Sequence, residues 1–261
     1  NADLGIAEAR VREAEGLAVQ SRAALLPSLN ATGGLQKQRE LSAFGTPAEP
    51  LPAQAQLQAA YEIDLWGRLR AGDAAARASL QASRDARDAA RLSVAAAVAR
   101  AYVSLTSLDA QLATSRATLV SREEAAGRAR RRAQQGLTSN LELRQAEGEL
   151  EAAAQRVPAL ELAIRRQEAG LALLTGQAGA GPIARGGLDA LAVPQPAAPL
   201  PSALLERRPD IAQAEASLAA ADASLAAARA AFLPQVRLSA AAGGLKVLHI
   251  DPLTTWSLGG S

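Results

Sequence analysis

The sequence predicts a mainly helical fold with a few strands, built around a long antiparallel helical hairpin. Two long segments place an apolar or small residue alternately three and four positions apart, which favours coiled-coil packing. A third segment alternates apolar and polar side chains, as a two-faced strand does. Aromatic residues make up only 2% of the chain, so Ala and Leu must fill the core, which suits close packing of long helices.

The hairpin is predicted by two seams of small and apolar residues on either side of one short turn. The first seam comprises Val94, Val98, Ala101, Leu105, Leu108, Leu112, Ser115 and Leu119. The second comprises Leu143, Ala146, Leu150, Ala153, Val157, Leu160, Ile164, Gln167, Leu171 and Leu174. Such a hairpin is a rod, which indicates assembly and transport before chemistry.

The first elements along the chain are a helix and a β-hairpin, the latter at about 28–65. The helix is expected from Asp3 to Ala24, because Pro27 lacks a backbone N–H and ends it. A weak strand is expected over Ser28–Gln38, then a Pro-containing loop over Arg39–Pro52. A strand over 53–65 would place Leu57, Ala59, Tyr61, Ile63 and Leu65 on one face and Gln54, Gln56, Gln58, Glu62 and Asp64 on the other.

The two arms and a connector follow Trp66-Gly67-Arg68. We expect a long helix at about 71–135, which would span roughly 98 Å, and a return helix at about 140–174. A Gly- and Pro-rich connector is expected at about 175–207. The last helix would run from about Ser202 to Phe232 with an interruption at Arg208-Pro209-Asp210, and a weak strand would follow it.

An internal repeat organises the chain into a first unit, 1–207, and the start of a second, 208–261. A shift of 207 residues aligns Asp3–Leu29 with Asp210–Val236, and ten of those 27 positions are identical. The second unit is expected to be truncated, without its second strand or the two helices that would follow it.

Composition excludes several classes of protein. The chain has no Cys, a single His (His249) and a formal net charge of +2, so we predict no disulfide, no metal site, no cofactor, no catalytic residue and no nucleic-acid partner. No apolar run approaches the length of a transmembrane helix. Periodicity alone leaves a coiled-coil scaffold as plausible as a transport protein, and a cell-envelope enzyme is disfavoured by the missing catalytic groups.

Local signals predict the ends of the helices. Gly136 is expected to end the long helix in a left-handed conformation, and Thr138 or Ser139 to cap the return helix. Pro158 should kink that helix or leave a local defect. Pro209 suits the first position of a helix, and Trp66 is interpreted as an interface anchor.

Four motifs carry a resemblance to a known family. They are Tyr61–Arg68 (YEIDLWGR), Gly136–Glu147 (GLTSNLELRQAE), Val157–Glu161 (VPALE) and Leu204–Asp210 (LLERRPD). Their residues and their order resemble the outer membrane efflux proteins, the TolC-like outer membrane factors, and most closely the lipoprotein branch that serves resistance-nodulation-division (RND) pumps. The resemblance covers essentially the whole chain.

The resemblance implies the channel component of a tripartite efflux system, which exports drugs or other small molecules. In that family a homotrimer builds one tunnel, each chain giving four strands to a β-barrel in the outer membrane of a Gram-negative bacterium and long helices to a periplasmic α-barrel. The implied partners are a periplasmic adaptor, an inner-membrane pump and outer-membrane lipid, with a lipid anchor on an upstream Cys. The alternatives are a non-pore scaffold and a type I secretion channel.

The same resemblance assigns roles to residues of the strand and of the hairpin turn. The apolar set Leu57, Ala59, Tyr61, Ile63 and Leu65 would face lipid, and the polar set Gln54, Gln56, Gln58, Glu62 and Asp64 would line the lumen. The turn residues Gln135, Gly136, Leu137, Thr138 and Ser139 would dock the adaptor. Glu142 would help to hold the closed end through polar contacts.

Overall fold

The structure is a computed structural model that describes residues 1–35, 40–41, 47–48, 53–177, 183–193, 195, 207–246 and 253–261. Its helices are α1 (Ala2–Ala23), α2 (Arg68–Gln134), α3 (Asn140–Thr175) and α4 (Pro209–Ala230), with a 3₁₀ turn at Leu188–Ala190. Its strands are β1 (Ser28–Leu35), β2 (Glu40–Leu41), β3 (Pro47–Ala48), β4 (Ala53–Ile63), β5 (Val236–Lys246) and β6 (Leu253–Gly260). The chain divides into two units, residues 1–6 with 88–204 and residues 7–87 with 205–261.

The first unit contains the predicted helical hairpin. None of the eighteen seam residues is exposed, and Leu105, Ile164 and Leu171 form its buried centre. The seam continues beyond Leu119, since Ala126 and Ala129 are buried as well. Helix α3 runs without interruption from Asn140 to Thr175 although Pro158 lies inside it.

Part of the connector is tied to the hairpin by Arg185. Its Nε lies 3.0 Å from Oδ2 of Asp109 on α2, and its Nη1 lies 2.9 Å from Oε1 of Glu168 on α3. Next to it, the backbone N–H of Gly186 donates to the hydroxyl of Tyr102 at 3.3 Å. One connector residue therefore bridges both arms.

The second unit contains an antiparallel sheet with strand order β1-β4-β5-β6. The expectation that the second repeat lacks its second strand is wrong, because β6 pairs with β5 over its whole length. Strand β4 ends at Ile63, so Asp64 and Leu65 lie beyond it. The predicted loop at 39–52 contains one short antiparallel pair, β2 with β3.

The sequence repeat is also visible in the elements. Helices α1 and α4 have 22 residues each, and the same offset of 207 residues carries one onto the other. Pro209 occupies the first position of α4, as predicted. Residues 202–206, predicted to be helical, and His249 lie outside the described residues. Across the part of the chain that the structure describes, no helix combines the length and the apolar character needed to cross a membrane.

Candidate functional sites: a hairpin turn and a two-faced sheet

The hairpin turn is held by a Schellman motif around Gly136. The N–H of Leu137 donates to the carbonyl of Arg132 at 2.8 Å, and the N–H of Gly136 donates to that of Ala133 at 3.0 Å. Gly136 has φ = 74°, which confirms the predicted left-handed end of the helix. Because Gly accepts this conformation without a Cβ penalty, the chain reverses in five residues.

The return helix begins at Ser139, which settles the choice between the two predicted caps. The Ser139 hydroxyl accepts a hydrogen bond from the N–H of Glu142 at 3.2 Å. The Glu142 carboxylate accepts one from the Thr138 hydroxyl, and Arg132 Nη1 lies 4.0 Å from it. Leu137 stands apart from this polar network with 65% of its surface exposed. The turn thus presents one apolar side chain from a frame fixed by hydrogen bonds.

Ion pairs between the arms of the hairpin have a single polarity. In each of four pairs the arginine belongs to α2 and the glutamate to α3: Arg116–Glu161, Arg122–Glu149, Arg130–Glu147 and Arg132–Glu142. Exposed pairs of this kind contribute little to stability, because water and salt screen them. Because every pair joins an arginine of α2 to a glutamate of α3, the ion pairs favour the same alignment of the two helices as the seams do.

In this ladder of four ion pairs, Glu147 pairs with one arginine on each arm. Its carboxylate lies 2.9 Å from Arg130 Nη2 and 2.9 Å from Arg144 Nη1. The hydrogen bond from Arg130 lowers the pKa of Glu147, desolvation raises it, and the charges of Arg144 and Arg130 lower it further, so that it lies below its ordinary value.

The sheet of the second unit has one apolar and one polar face. The register of the four strands fixes which residues share a face, because successive side chains point to opposite sides. One face carries Leu29, Ala31, Gly33, Leu35, Ala53, Ala55, Leu57, Ala59, Tyr61, Ile63, Val236, Leu238, Ala240, Ala242, Gly244, Lys246, Thr254, Trp256, Leu258 and Gly260. The other carries Ser28, Asn30, Thr32, Gly34, Gln54, Gln56, Gln58, Ala60, Glu62, Arg237, Ser239, Ala241, Gly243, Leu245, Leu253, Thr255, Ser257 and Gly259.

The large residues of the apolar face are exposed to an unusual degree. Trp256 is 78% exposed, Leu258 is 76% exposed and Leu57 is 48% exposed. A contiguous apolar surface of this kind marks a contact with a partner or a membrane.

The motif around Trp66 connects β4 to α2 rather than lengthening the strand. Glu62 keeps its place on the polar face but pairs with Arg68 at 2.6 Å and with Arg237 at 3.4 Å. The Asp64 carboxylate accepts the N–H groups of Leu69 and Arg70 at the start of α2, at 3.2 and 3.0 Å. An anion at this position complements the helix dipole, which explains why Asp64 leaves the strand.

Trp66 contributes to this junction through one hydrogen bond within the chain, and its interpretation as an interface anchor stays a prediction. Its indole N–H donates to the carbonyl of Pro234 at 2.8 Å, between α4 and β5. Gly67 makes the turn possible with φ = 77°.

A family comparison decides the affiliation of the chain. The model of the family "Outer membrane efflux protein" matches residues 1–177 and 200–248. The chain belongs to this family. It is 37% identical over 248 residues to the pyoverdine export outer membrane protein OpmQ of Pseudomonas aeruginosa, a match that covers 92% of this chain and 52% of OpmQ. It is 33% identical over 229 residues to the probable efflux pump outer membrane protein TtgC of Pseudomonas putida, covering 86% of this chain and 47% of TtgC.

Solved structures of a membrane protein and of a transmembrane channel protein share the fold. A crystal structure of a membrane protein from Pseudomonas aeruginosa superposes with a TM-score of 0.87 at 32% identity, covering all of this chain and 63% of that one. A structure of CusC, determined to follow folding and transmembrane channel formation, gives 0.85 at 26% identity and covers all of this chain and 62% of that one. The chain spans about half the length of the curated relatives it matches.

Membership of the efflux protein family agrees with the main predictions from the sequence. The fold class, the hairpin and the affiliation are confirmed, and the family is one of outer membrane channel proteins. The contributions of β5 and β6 to the apolar face were missed, although the 207-residue repeat extended beyond Val236 would have indicated the first of them. Within the described residues, no group of three or more Asp, Glu or His side chains is arranged to hold a metal ion.

Proposed function

We propose that the intact protein is the outer-membrane channel of a tripartite, RND-type efflux system and exports small molecules. The observation that carries the proposal is the two-faced sheet, whose apolar face has no covering element among the described residues. Lipid would cover that face, and the face rich in Gln, Ser and Thr would line a water-filled lumen. The names of the relatives OpmQ and TtgC, which refer to export and efflux, support the transport role.

The edges of the sheet support a homotrimer. Strands β1 and β6 each have one unpaired edge in the strand order β1-β4-β5-β6, and an open edge is a site for pairing with another strand. Three copies would close such edges into one barrel of twelve strands. A lipid anchor on a Cys upstream of this chain is part of the proposal by resemblance, and labelling of the intact protein with radioactive palmitate tests it.

Cysteine accessibility tests the orientation of the sheet. In the intact protein in its membrane, Cys at positions 56 and 58 should react with a water-soluble thiol reagent, while Cys at positions 57 and 61 should be protected by lipid. The four positions lie on one strand, so each polar-face variant is a control for its neighbour. Protection of 56 and 58 together with reaction at 57 and 61 would reverse the assignment.

We further propose that the hairpin turn, Gln135–Ser139, docks a periplasmic adaptor that links the channel to an inner-membrane pump. Leu137 is exposed on a turn held by backbone and side-chain hydrogen bonds, so it can enter a partner surface without reorganisation of the backbone. Glu142 would help to hold the closed end of the tunnel through its contacts with Thr138 and Arg132.

Leu137→Asp tests the docking proposal, because it leaves the Schellman motif and the Ser139 cap intact. Adaptor crosslinking and drug resistance should both be lost in cells that make normal amounts of the intact variant. Leu173→Asp is the matched control, since Leu173 is an exposed leucine of α3 outside the turn. Full crosslinking and resistance with Leu137→Asp would remove the turn from the docking site.

A further inference from the structure

The apolar face of the sheet carries one charged residue among its described strand positions, Lys246. By the register Lys246 lies opposite Ala53, which in turn lies opposite Leu35. Lysine is rare in this chain, because only two of its 28 basic residues are Lys and the others are Arg. Lys246 is exposed and makes no ion pair with any residue the structure describes. A cation on an otherwise apolar surface therefore needs a partner or water at that end of the sheet.

A hollow lies on the same face, between its bulky residues. Ala59, Ala240 and Ala242 form the floor, and Leu29, Leu57, Trp256 and Leu258 stand around it. The hollow has a volume of about 320 Å³. Its shape arises because the Ala side chains on β4 and β5 are short, whereas the Leu and Trp side chains beside them project further from the sheet. Its lining is almost entirely apolar, which suits a hydrocarbon chain and no polar ligand.

Small residues continue from this hollow towards Lys246. Gly33, Ala55 and Gly244 lie directly opposite one another on β1, β4 and β5, so this row adds little side-chain bulk. From Ala240 to Lys246 the strand advances about 20 Å. At a strand tilt of about 40° this corresponds to a depth of roughly 15 Å, half of a hydrocarbon core of about 30 Å.

The register also fixes the end of the sheet at which Lys246 lies. Helix α1 enters at Ser28, α2 leaves after Ile63 and α4 enters before Val236, and these three strand ends are neighbours. Lys246 is at the opposite end of β5. If the helices extend into the periplasm, as the proposed function requires, Lys246 lies at the outer surface of the membrane.

We propose that this face binds an anionic, phosphorylated lipid of the outer leaflet, with its headgroup at Lys246 and an acyl chain along the small residues into the hollow. The proposal rests on the proposed membrane insertion of the sheet. The ammonium group of Lys246 supplies a compact charge for a phosphate on a stem that can follow the apolar surface. The hollow accommodates an acyl chain, so the site prefers a lipid to a free anion.

Quenching of Trp256 tests the headgroup. The intact protein with Trp66→Phe keeps one of the two Trp residues of this chain and is reconstituted in phosphatidylcholine vesicles. The vesicles contain a minor fraction of one lipid with brominated acyl chains, which is either phosphatidylglycerol or phosphatidylcholine. Brominated phosphatidylglycerol should quench Trp256 with about fivefold higher apparent affinity, the effect of one basic residue near a lipid surface. If Trp66→Phe impairs folding, the quenching of Trp256 is obtained as the difference in quenching between the parent protein and Trp256→Phe.

Substitutions at Lys246 test whether its charge causes the preference for phosphatidylglycerol. Lys246→Gln should abolish it and Lys246→Arg should keep it. Arg91→Gln removes the same charge from an exposed position on α2 and should leave the preference unchanged. An equal preference in Lys246→Gln and the parent would overturn the headgroup assignment. Absence of quenching by either brominated lipid would instead contradict the membrane insertion itself.

Filling the hollow tests the acyl chain. Ala242→Leu adds volume to the floor, whereas Ala60→Leu adds the same volume to the opposite face of the neighbouring strand β4, outside the lining of the hollow. Ala242→Leu should lose the preferential quenching by brominated phosphatidylglycerol, and Ala60→Leu should keep it. Inorganic phosphate should reduce the preference no more than sodium chloride at the same ionic strength, because a free anion can screen Lys246 but cannot occupy the hollow. A preference that phosphate removes and chloride does not, or that survives Ala242→Leu, would show that no acyl chain is held there.

Discussion

The hairpin and the sheet differ in what covers their apolar residues. In the hairpin, the seam of α2 packs on that of α3, and Leu105 at its centre has no exposed surface. In the sheet, Trp256 and Leu258 remain about three-quarters exposed. The seam of the hairpin is therefore covered by its own chain, whereas the apolar face of the sheet depends on its surroundings.

The difference follows from the two periodicities. A repeat of 3.5 residues gathers the apolar side chains on one narrow stripe, and one partner helix is enough to cover it. A repeat of two divides a strand into two faces of equal width, and a single sheet can cover neither of them. Substitutions in the hairpin should therefore change stability in any solvent, while those on the apolar face should act through lipid.

Leu105→Ala should produce the largest effect. The side chain is fully buried against Ile164 and Leu171, so the substitution should lower the free energy of unfolding of the intact protein by about 4 kcal/mol. Leu92→Ala on the same helix is the control, because Leu92 is exposed and should change it by less than about 0.5 kcal/mol. Denaturant unfolding in detergent measures both values. Equal effects would mean that the seam does not carry the stability of the hairpin.

Leu57→Arg should produce the next largest effect, and only where lipid is present. An arginine near the middle of the apolar face should cost about 3 kcal/mol in a bilayer. Gln58→Arg, on the neighbouring position of the opposite face, should cost little. The amount of folded trimer in the outer-membrane fraction measures the difference. If Gln58→Arg prevented assembly and Leu57→Arg did not, the two faces would be exchanged.

Gly136→Ala should have a smaller effect that concerns the turn alone. Nothing lies within 4 Å of a Cβ built on Gly136, so the cost is that of a left-handed alanine, about 1–2 kcal/mol. Gly148→Ala is a matched control inside α3, where a Cβ also meets nothing within 4 Å. There the same substitution should stabilise the protein by about 0.5–1 kcal/mol. Thermal unfolding should show opposite signs, and the same sign at both positions would contradict the role of Gly136.

The sequence predicted the hairpin better than the sheet, for a physical reason. Heptads repeat over many turns, and the seam residues and the Gly136 turn were confirmed in place. The end of β4 was predicted two residues too late, because the alternation continues through Asp64 and Leu65 while the carboxylate of Asp64 binds the first N–H groups of α2. No local pattern predicted the bridge from Arg185 to Asp109 and Glu168, since the three residues are far apart in sequence. The docking turn and the two faces as membrane and lumen surfaces remain predictions.

The smallest effect should come from the ion-pair ladder, with Glu147→Gln as its probe. Arg130 and Arg144 hold the pKa of Glu147 below its ordinary value, so the folded state favours the charged form. The stabilisation should therefore be fully present above about pH 5 and should disappear as the pH falls through the lowered folded-state pKa. Because the pair is exposed, added salt should weaken it as well.

Glu151→Gln is the control for this pH dependence. Glu151 lies on α3 like Glu147, is exposed and forms no ion pair with any described residue. Unfolding of the parent and both variants between pH 3 and pH 7 should give curves for Glu147→Gln and the parent that converge at the acidic end. The difference between Glu151→Gln and the parent should be smaller than that for Glu147→Gln at neutral pH. A constant gap between Glu147→Gln and the parent over the whole range would mean that the side chain acts by packing and that its charge contributes nothing to the hairpin.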